Sequence, residues 1–198
     1  MITICLLRHG ETAYNADGNK YCGRTDIPLT DKGIAQAKRM NELLKEYKFD
    51  QIFCSPLQRA KYTAEIASGK AGLVKTDDRL IEVDFGQWEG KRSEDFIAED
   101  PDSWDNWLSD PESFKAGKTG ENAVQVINRL DSFYNELMDK YDGQTILVVG
   151  HNGVNRLFMS QQLGMPLKNY RKIVQENSAL TLITLDKHKG FNLLKLNA

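Results

Sequence analysis

Residues 1–12 read MITICLLRHGET, and this stretch decides the fold. The first seven residues form a short apolar run, which is typical of a strand covered on both faces inside a mainly parallel sheet. Arg8 and His9 follow at the strand end, and Gly10 lets the chain turn sharply. Ligands of open α/β sheets lie beyond the carboxyl ends of the strands, so this pair predicts an anion site with a histidine that attacks or carries protons. Alternatively, the pair is a polar strand end that faces solvent.

The composition is ordinary for a soluble globular protein. The chain has 198 residues, of which 40% are hydrophobic and 27% charged, and its net charge is -2. This length suffices for one sizeable core, and no basic run is interleaved with aromatic residues as a nucleic-acid surface requires. The N-terminal apolar run is too short for a membrane span and lacks the basic flank of a signal peptide. Three cysteines without paired spacing favour a reducing compartment. We therefore expect one cytoplasmic domain over residues 1–198, with no nucleic-acid or membrane partner.

A second strand-to-helix junction carries another cation. Residues 50–54 (DQIFC) predict a strand, and Ser55 with Gln58 has the spacing of a capping box, with Pro56 at the first helical position. Helical side chains lean towards the N-terminus, so Arg59 in the first turn is expected to point back over the strand end. The alternative is an arginine on a solvated helix face.

A third junction follows residues 145–149 (TILVV), where a buried strand ends in Gly150-His151-Asn152-Gly153. Elsewhere, short apolar runs and helical spacing predict further elements, namely strands at 72–76, 178–185 and 191–196, and helices over about 30–47, 119–141 and 154–163. The last two strands predict a hairpin. The long loop 11–30 between the first strand and first helix is of a length that is more often functional than idle.

The middle of the chain supplies carboxylates. Glu82 lies between apolar residues, and Asp84 and Glu89 are competing candidates for a catalytic acid. Residues 93–114 hold eight acidic residues and no Lys or Arg. Four aromatic residues (Phe96, Trp104, Trp107 and Phe114) and two prolines (Pro101 and Pro111) fall in the same stretch. We expect a lid-like excursion over about 91–118 that packs its aromatic residues on the body, or alternatively a plain acidic surface helix.

If the three junctions converge, they bring two guanidiniums and two imidazoles together, and phosphate fits the fork geometry of arginine. A P-loop nucleotidase is excluded because the chain has no G-x-x-x-x-G-K-[ST] loop. Three histidines are few for a two-metal phosphoesterase. Cys54 and Arg59 are one residue too close for a cysteine phosphatase loop. A histidine nucleophile is left.

Five motifs, in this order, resemble those of the histidine phosphatase (phosphoglycerate mutase-like) superfamily. They are LRHGET at 7–12 with Asn15, SPLQRA at 55–60, EVDFGQWEG at 82–90, GEN at 120–122 and GHNG at 150–153. The resemblance covers residues 6 to about 156. It implies an α/β fold, a three-layer α/β/α sandwich with a mostly parallel central sheet and an antiparallel edge.

The resemblance also implies a set of site residues: catalytic His9, Glu82 and His151; phosphate-binding Arg8, Arg59, Asn15, His151 and Asn152; and substrate-binding Cys22, Gly23 and Arg24. In this scheme His9 attacks phosphorus and carries a phosphohistidine, and Glu82 protonates the leaving alcohol and then deprotonates water. Neither a metal nor another cofactor is expected, because cationic side chains replace it. The expected partner is a small-molecule phosphomonoester.

The branch of the superfamily is predicted from the mouth of the site. A mutase must hold a second anionic end, and the acidic 93–114 stretch stands where mutases of the family carry cations. We therefore expect a phosphatase for a substrate with one anionic end. FGQWEG at 85–90 is most similar to α-ribazole phosphatase-like members, whose substrate has an aromatic base, whereas Asn152 departs from them. The alternatives are a broad-specificity phosphatase, a cofactor-dependent phosphoglycerate mutase and a catalytically silent relative that binds phosphorylated ligands.

Overall fold

The computed structural model describes residues 1–198, and at its centre lies a six-stranded sheet. The strands are β1 (Ile2–Arg8), β2 (Gln51–Cys54), β3 (Val74–Thr76), β4 (Thr145–Gly150), β5 (Leu180–Asp186) and β6 (Gly190–Lys195). Their order is β3-β2-β4-β1-β5-β6. The first four are parallel, whereas β5 runs antiparallel to β1 and β6 antiparallel to β5. The predicted mostly parallel sheet with an antiparallel edge is confirmed.

Seven helices surround the sheet: α1 (Ala13–Ala16), α2 (Asp31–Leu44), α3 (Gln58–Ser68), α4 (Ser93–Glu99), α5 (Pro101–Ser109), α6 (Ala123–Lys140) and α7 (Asn152–Gln162). Short 3-10 helices cover Ala71–Leu73, Asp78–Leu80, Gly86–Trp88 and Leu167–Lys172. The predicted loop 11–30 contains α1, which Thr12 caps. None of the helices is both long enough and apolar enough to cross a membrane.

Alternate residues of β1 enter two separate cores. Ile4 and Leu6 pack in a cluster with residues of α6 and α7, whereas Cys5 and Leu7 pack with α2 and α3. All four side chains are fully buried. Successive side chains of a strand point to opposite faces of the sheet. A strand in which consecutive residues are all apolar therefore needs a packed layer on both faces of the sheet. The apolar first strand is thereby explained, with helices in a layer on each face.

The start of α3 differs from the prediction. Its first residue is Gln58, its N-cap is Leu57, and the hydroxyl of Ser55 accepts from the Leu57 N–H instead of capping the helix. The backbone N–H of Gln58 donates to Oδ1 of Asp26 at 2.8 Å. A carboxylate from the preceding loop thus satisfies the helix end that a local capping box was expected to satisfy.

The acidic excursion forms α4 and α5, with Pro101 at the start of the second helix. Phe96 and Trp107 are buried in the same core as α6, and Trp104 packs against that core. Phe114, in contrast, is 43% exposed, so it does not join the others. In α6 the buried stripe runs from Ala123 to Leu137, whereas the apolar side chain of Val124 faces solvent.

Candidate active site

The strand register brings the two histidines together. Arg8 and Gly150, the last residues of β1 and β4, are paired, and the His9 N–H donates to the Gly150 carbonyl at 3.1 Å. His151 follows directly as the N-cap of α7. The imidazole centroids of His9 and His151 lie 5.1 Å apart in an edge-to-face contact. A cavity of about 300 Å³ opens beside them, at the carboxyl end of the central strands.

His9 is held as a neutral imidazole. Its Nδ1 lies 2.7 Å from the carbonyl oxygen of Gly10, which assigns the ring proton to Nδ1 and leaves the lone pair on Nε2. The ring is 5% exposed and lines the cavity. Burial, and then the charges of Arg59 and Arg8, hold the pKa of His9 well below its usual value. The His9 imidazole is therefore in its neutral form, with a proton only on Nδ1, at neutral pH.

His151 has the opposite tautomer. Nε of Arg59 donates to Nδ1 of His151 at 3.2 Å, so the His151 proton is on Nε2. That Nε2 is buried and has no hydrogen-bond partner in the protein. Burial, Arg59 and His9 lower the pKa of His151 well below its usual value. His151 is thus a neutral donor beside the nucleophile.

Arg59 is fully buried and tied to the loop that precedes α2. Its Nη1 donates to the Thr25 carbonyl at 2.7 Å, and its Nη2 donates to the carbonyls of Gly23 and Cys22 at 2.8 and 3.2 Å. The expectation that Arg59 points back towards the strand end agrees with its contact to His151. The guanidinium orders both the imidazole and the loop.

Arg8 reaches the cavity from the end of β1. Its Nη1 donates to the Gln175 carbonyl at 3.0 Å, whereas its buried Nε has no partner. Asn155 in turn fixes Gln175, since its amide donates to Oε1 of Gln175 at 2.9 Å and to the Leu7 carbonyl at 3.1 Å. Burial lowers the pKa of Arg8 to about 10, so the guanidinium stays charged at neutral pH.

Glu82 lies against the start of α7. Its Oε2 accepts from the Gly153 N–H at 2.9 Å, and its Oε1 accepts from Val154 and its own neighbour Val83 at 3.0 and 2.9 Å. A Cβ on Gly153 would lie 2.7 Å from Oε1, so only glycine allows this approach. Glu82 is 4% exposed and lines the cavity. These three backbone contacts fix the position of the Glu82 carboxyl group beside the cavity.

The competing carboxylates have structural partners. Oδ1 of Asp84 accepts from the Gly86 N–H, and Glu89 accepts from the N–H groups of Gly23 and Thr25. Neither lines the cavity. Glu82 is the carboxylate that the structure brings to the histidines.

The two asparagines and the 22–24 segment divide between the cavity and its surroundings. Asn15, Asn152 and Cys22 line the cavity, and Oδ1 of Asn152 is buried without a partner. Gly23 and Arg24 do not line it. The reason is that Gly23 is engaged by Glu89 and Arg59, whereas the Arg24 guanidinium pairs with Glu121 at 3.0 Å.

Two arginines of the cavity were missed from the sequence. Arg156 and Arg171 line the cavity together with Arg8 and His9. Arg156 stands four positions after Asn152 on α7, so helical periodicity could have placed it on the same face. No local signal places Arg171, because its position depends on the path of the chain between α7 and β5. The expectation of a single anionic end rested on the acidic 93–114 stretch, and these two arginines supply the cations that the stretch lacks.

No group of three or more His, Cys, Asp or Glu side chains is arranged to hold a metal ion. The site does contain nitrogen atoms of arginine and histidine that have no hydrogen-bond partner in the protein. Nε of Arg8 and Nε2 of His151 are buried donors without partners, and the lone pair of the cavity-lining His9 is on Nε2. Unpartnered donors of this kind can hold the oxygens of a tetrahedral oxyanion.

The comparisons with known proteins agree with this geometry. Residues 4–198 match the model of the histidine phosphatase superfamily (branch 1). The chain is 32% identical to phosphoserine phosphatase 1 of Hydrogenobacter thermophilus, over 100% of this chain and 92% of the relative. It is 34% identical to the adenosylcobalamin/alpha-ribazole phosphatase of Salmonella typhimurium, over 98% and 94% of the two chains.

Solved structures give the same result. The structure of a mutant phosphoserine phosphatase from Entamoeba histolytica in complex with phosphoserine superposes with a TM-score of 0.90. It is 29% identical to this chain, and the match covers 100% of this chain and 98% of the other. The family model spans nearly the whole sequence, so the chain belongs to the histidine phosphatase superfamily.

Proposed function

We propose that this protein is a metal-independent phosphomonoesterase that works through a phosphohistidine at His9. The observation that carries the proposal is the contact of His9 Nδ1 with the Gly10 carbonyl, which leaves the lone pair on Nε2 of a neutral ring that lines the cavity. The His9 ring must be neutral, because a protonated Nε2 has no lone pair with which to attack phosphorus.

The first half-reaction transfers the phosphoryl group to His9. The Nε2 lone pair forms the P–N bond as the ester P–O bond breaks, and the leaving oxygen takes a proton from Glu82. Arg8 and His151 donate to the oxygens of the reacting group, and Arg59 adds a positive charge and holds the His151 donor in place. Removing one such preorganised donor typically lowers kcat by a factor of roughly 100 to 1,000.

The second half-reaction returns the enzyme to its starting state. Glu82, now ionised, takes a proton from a water molecule, whose oxygen attacks phosphorus as the P–N bond breaks. Inorganic phosphate leaves, and Glu82 is again protonated. Asn15 and Asn152 line the same cavity and are proposed to contact the phosphate or the substrate.

The direct test is hydrolysis of p-nitrophenyl phosphate in the presence of EDTA. We expect turnover by the wild type, an acid-labile phosphoenzyme after rapid quenching, and loss of both in His9→Ala. His188→Ala is the matched control, because His188 lies in the exposed turn between β5 and β6. Turnover that needs added metal, or a phosphoenzyme that survives in His9→Ala, would contradict the proposal.

The two named relatives suggest different substrates. α-Ribazole 5′-phosphate is a candidate because Tyr21, Phe85 and Tyr170 line the cavity and could stack on an aromatic base. Phosphoserine is the other candidate substrate. The positive charges of Arg156 and Arg171 in the cavity lining bear on the choice between the two substrates. Bisphosphoglycerate-stimulated mutase activity would place the chain in the mutase branch. Binding without turnover would favour a catalytically silent relative.

We also propose that the protein acts in the cytoplasm. Cys5, Cys22 and Cys54 are all free, and Cys5 and Cys54 are buried as small apolar side chains. Free thiols of this kind are typical of a reducing compartment. Fractionation of cells that express the chain is the test, and recovery in a secreted fraction would contradict this assignment.

A further inference from the structure

Two pairs of basic side chains line the cavity. Arg8 and His9 come from the end of β1, whereas Arg156 comes from α7 and Arg171 from the 3-10 helix Leu167–Lys172. Glu82 is the only carboxylate in the lining, and its oxygens accept hydrogen bonds from backbone N–H groups rather than from arginine. Arg156 and Arg171 therefore have no carboxylate hydrogen-bonded to them within the cavity.

Neutral groups hold the guanidiniums of Arg156 and Arg171 in place. Nε of Arg156 donates to the Tyr170 carbonyl at 3.2 Å, and the guanidinium lies 5.3 Å from the centre of the Tyr170 ring. Nη1 of Arg171 donates to the Tyr21 hydroxyl at 2.8 Å, and its guanidinium lies 4.8 Å from the Trp104 ring. Each guanidinium is thus oriented while keeping further N–H groups free for a ligand.

Four arginines outside the cavity have carboxylate partners. Arg24 and Arg129 pair with Glu121, Arg79 with Asp77 and Arg92 with Asp17. Arg156 and Arg171 form no salt bridge. Lys20 also lines the cavity, but Asp17 lies 2.6 Å from its ammonium and offsets its charge. Two unpaired guanidiniums on one wall, each oriented in advance, form a built site for an anion.

We propose that Arg156 and Arg171 form a second anion subsite that binds a carboxylate of the substrate, so that the enzyme prefers small phosphorylated carboxylic acids. The inference rests on the proposed phosphatase function. A cavity of about 300 Å³ is at the small end of ligand pockets, which span roughly 300–1,000 Å³, and this favours a compact substrate. The planar fork of arginine matches the two oxygens of a carboxylate.

Matched substrate pairs test the subsite. Phosphoserine differs from phosphoethanolamine only by the carboxylate, and 3-phosphoglycerate differs from glycerol 3-phosphate by a carboxylate in place of a hydroxymethyl group. We expect kcat/KM to be at least about tenfold higher for the carboxylated member of each pair, which corresponds to about 1.4 kcal/mol. α-Ribazole 5′-phosphate, which has no carboxylate, is measured alongside them.

Variants assign the preference to the two arginines. In Arg156→Gln and Arg171→Gln we expect the ratio within each pair to fall towards one, mainly through a higher KM for the carboxylated substrate. Arg171→Lys retains the positive charge but lacks the planar guanidinium that can bind both carboxylate oxygens. We expect this variant to retain part of the kcat/KM ratio within each substrate pair. Lys172→Gln is the matched control, because Lys172 is the neighbouring exposed cation outside the cavity lining and its loss should leave the ratio unchanged.

The outcomes separate the two proposals. If no phosphomonoester is hydrolysed, the proposed function fails and the subsite fails with it. If all are hydrolysed but the wild-type ratios are near one, or α-ribazole 5′-phosphate is preferred over the carboxylated substrates, only the subsite is wrong. An equal loss of kcat/KM for both members of a pair in Arg171→Gln would show a merely structural arginine and would also overturn it.

Discussion

Nε of Arg59 lies 3.2 Å from Nδ1 of His151, and this hydrogen bond fixes the side of the second imidazole that carries the proton. An arginine cannot accept a hydrogen bond, so Nδ1 must be the acceptor and Nε2 the donor. The contact thus makes a neutral histidine into a fixed hydrogen-bond donor. It also joins α3, which carries Arg59, to the start of α7.

Arg59→Lys tests this contact. The lysine retains the positive charge but has no N–H in the position of Nε, so it can hold neither the His151 tautomer nor all three loop carbonyls. We expect kcat for p-nitrophenyl phosphate to fall about 100-fold or more, in the range typical of a lost oxyanion donor. Arg39→Lys, on the exposed face of α2, is the control. A change in kcat of less than threefold would contradict the role of Arg59.

The two histidines are expected to remain neutral across the physiological range. Burial lowers the pKa of both, with Arg59 adding to the effect in each case, so the charged form appears only well below the usual value of about 6.5. Nitrogen-15 NMR of the imidazoles should show neutral rings from pH 8 to about 6, with the proton on Nδ1 in His9 and on Nε2 in His151. The variants His9→Gln and His151→Gln assign each set of signals to its histidine. Imidazole signals that titrate near pH 6.5, or two rings with the same tautomer, would contradict the prediction.

The same shifts predict how stability depends on pH. Unfolding frees both imidazoles to bind protons below about pH 6.5, whereas the folded state binds them only at lower pH. The free energy of unfolding should therefore decrease as the pH falls below 6.5. Urea denaturation at pH 7.5 and pH 5.5 measures this loss, which should be smaller in His151→Gln than in the wild type. An equal loss in the two proteins would assign the pH dependence to other groups.

Glu82→Gln should reveal which step needs the proton. An alkoxide is a poor leaving group, so we expect kcat for an alkyl phosphate such as glycerol 3-phosphate to fall by a factor of roughly 100 to 10,000. p-Nitrophenolate leaves without a proton, and formation of the phosphoenzyme from its ester should change far less. Rapid-quench measurement of both substrates gives the comparison. Equal losses for the two leaving groups would exclude Glu82 as the general acid.

Gly33→Ala tests the packing beneath the nucleophile loop. Alanine normally stabilises a helix relative to glycine by about 1 kcal/mol. At Gly33, however, a Cβ would lie 2.2 Å from the carbonyl oxygen of Glu11, two residues after His9, so the clash should dominate. We expect a net loss of about 1–3 kcal/mol in urea denaturation and a lower kcat. Gly72→Ala, which meets nothing within 4 Å, should change stability by less than about 0.5 kcal/mol.

The parts of the fold that were predictable from the sequence are those with local causes. The apolar run of β1, the Thr30 cap of α2 and the Pro101 start of α5 each depend on neighbouring residues. The start of α3 was placed wrongly because Asp26, 32 residues earlier, caps it. A partner so distant in sequence leaves no trace in the residues around the helix end.

The candidate site follows the same division. Arg8, His9 and His151 stand directly at strand ends, so the rule for open sheets brings them together. The engagement of Arg24 by Glu121 depends on tertiary contacts between loops, and no spacing in the sequence predicts it. Arg171 was missed for the same reason, since it is placed by Tyr21 and Trp104 from two other segments.

The 3-10 helix Leu167–Lys172 carries Arg171 at the periphery, whereas His9 follows the central strand of the sheet. Bond breaking and substrate choice are therefore assigned to parts of the molecule with different tolerance to mutation. Exposed residues of this helix, such as Arg171 and Lys172, can change without disturbing the sheet, so new preferences can arise by drift while the chemical step is inherited intact. A library restricted to these exposed positions, with the buried Tyr170 left unchanged, is accordingly the most direct route to an enzyme with altered selectivity.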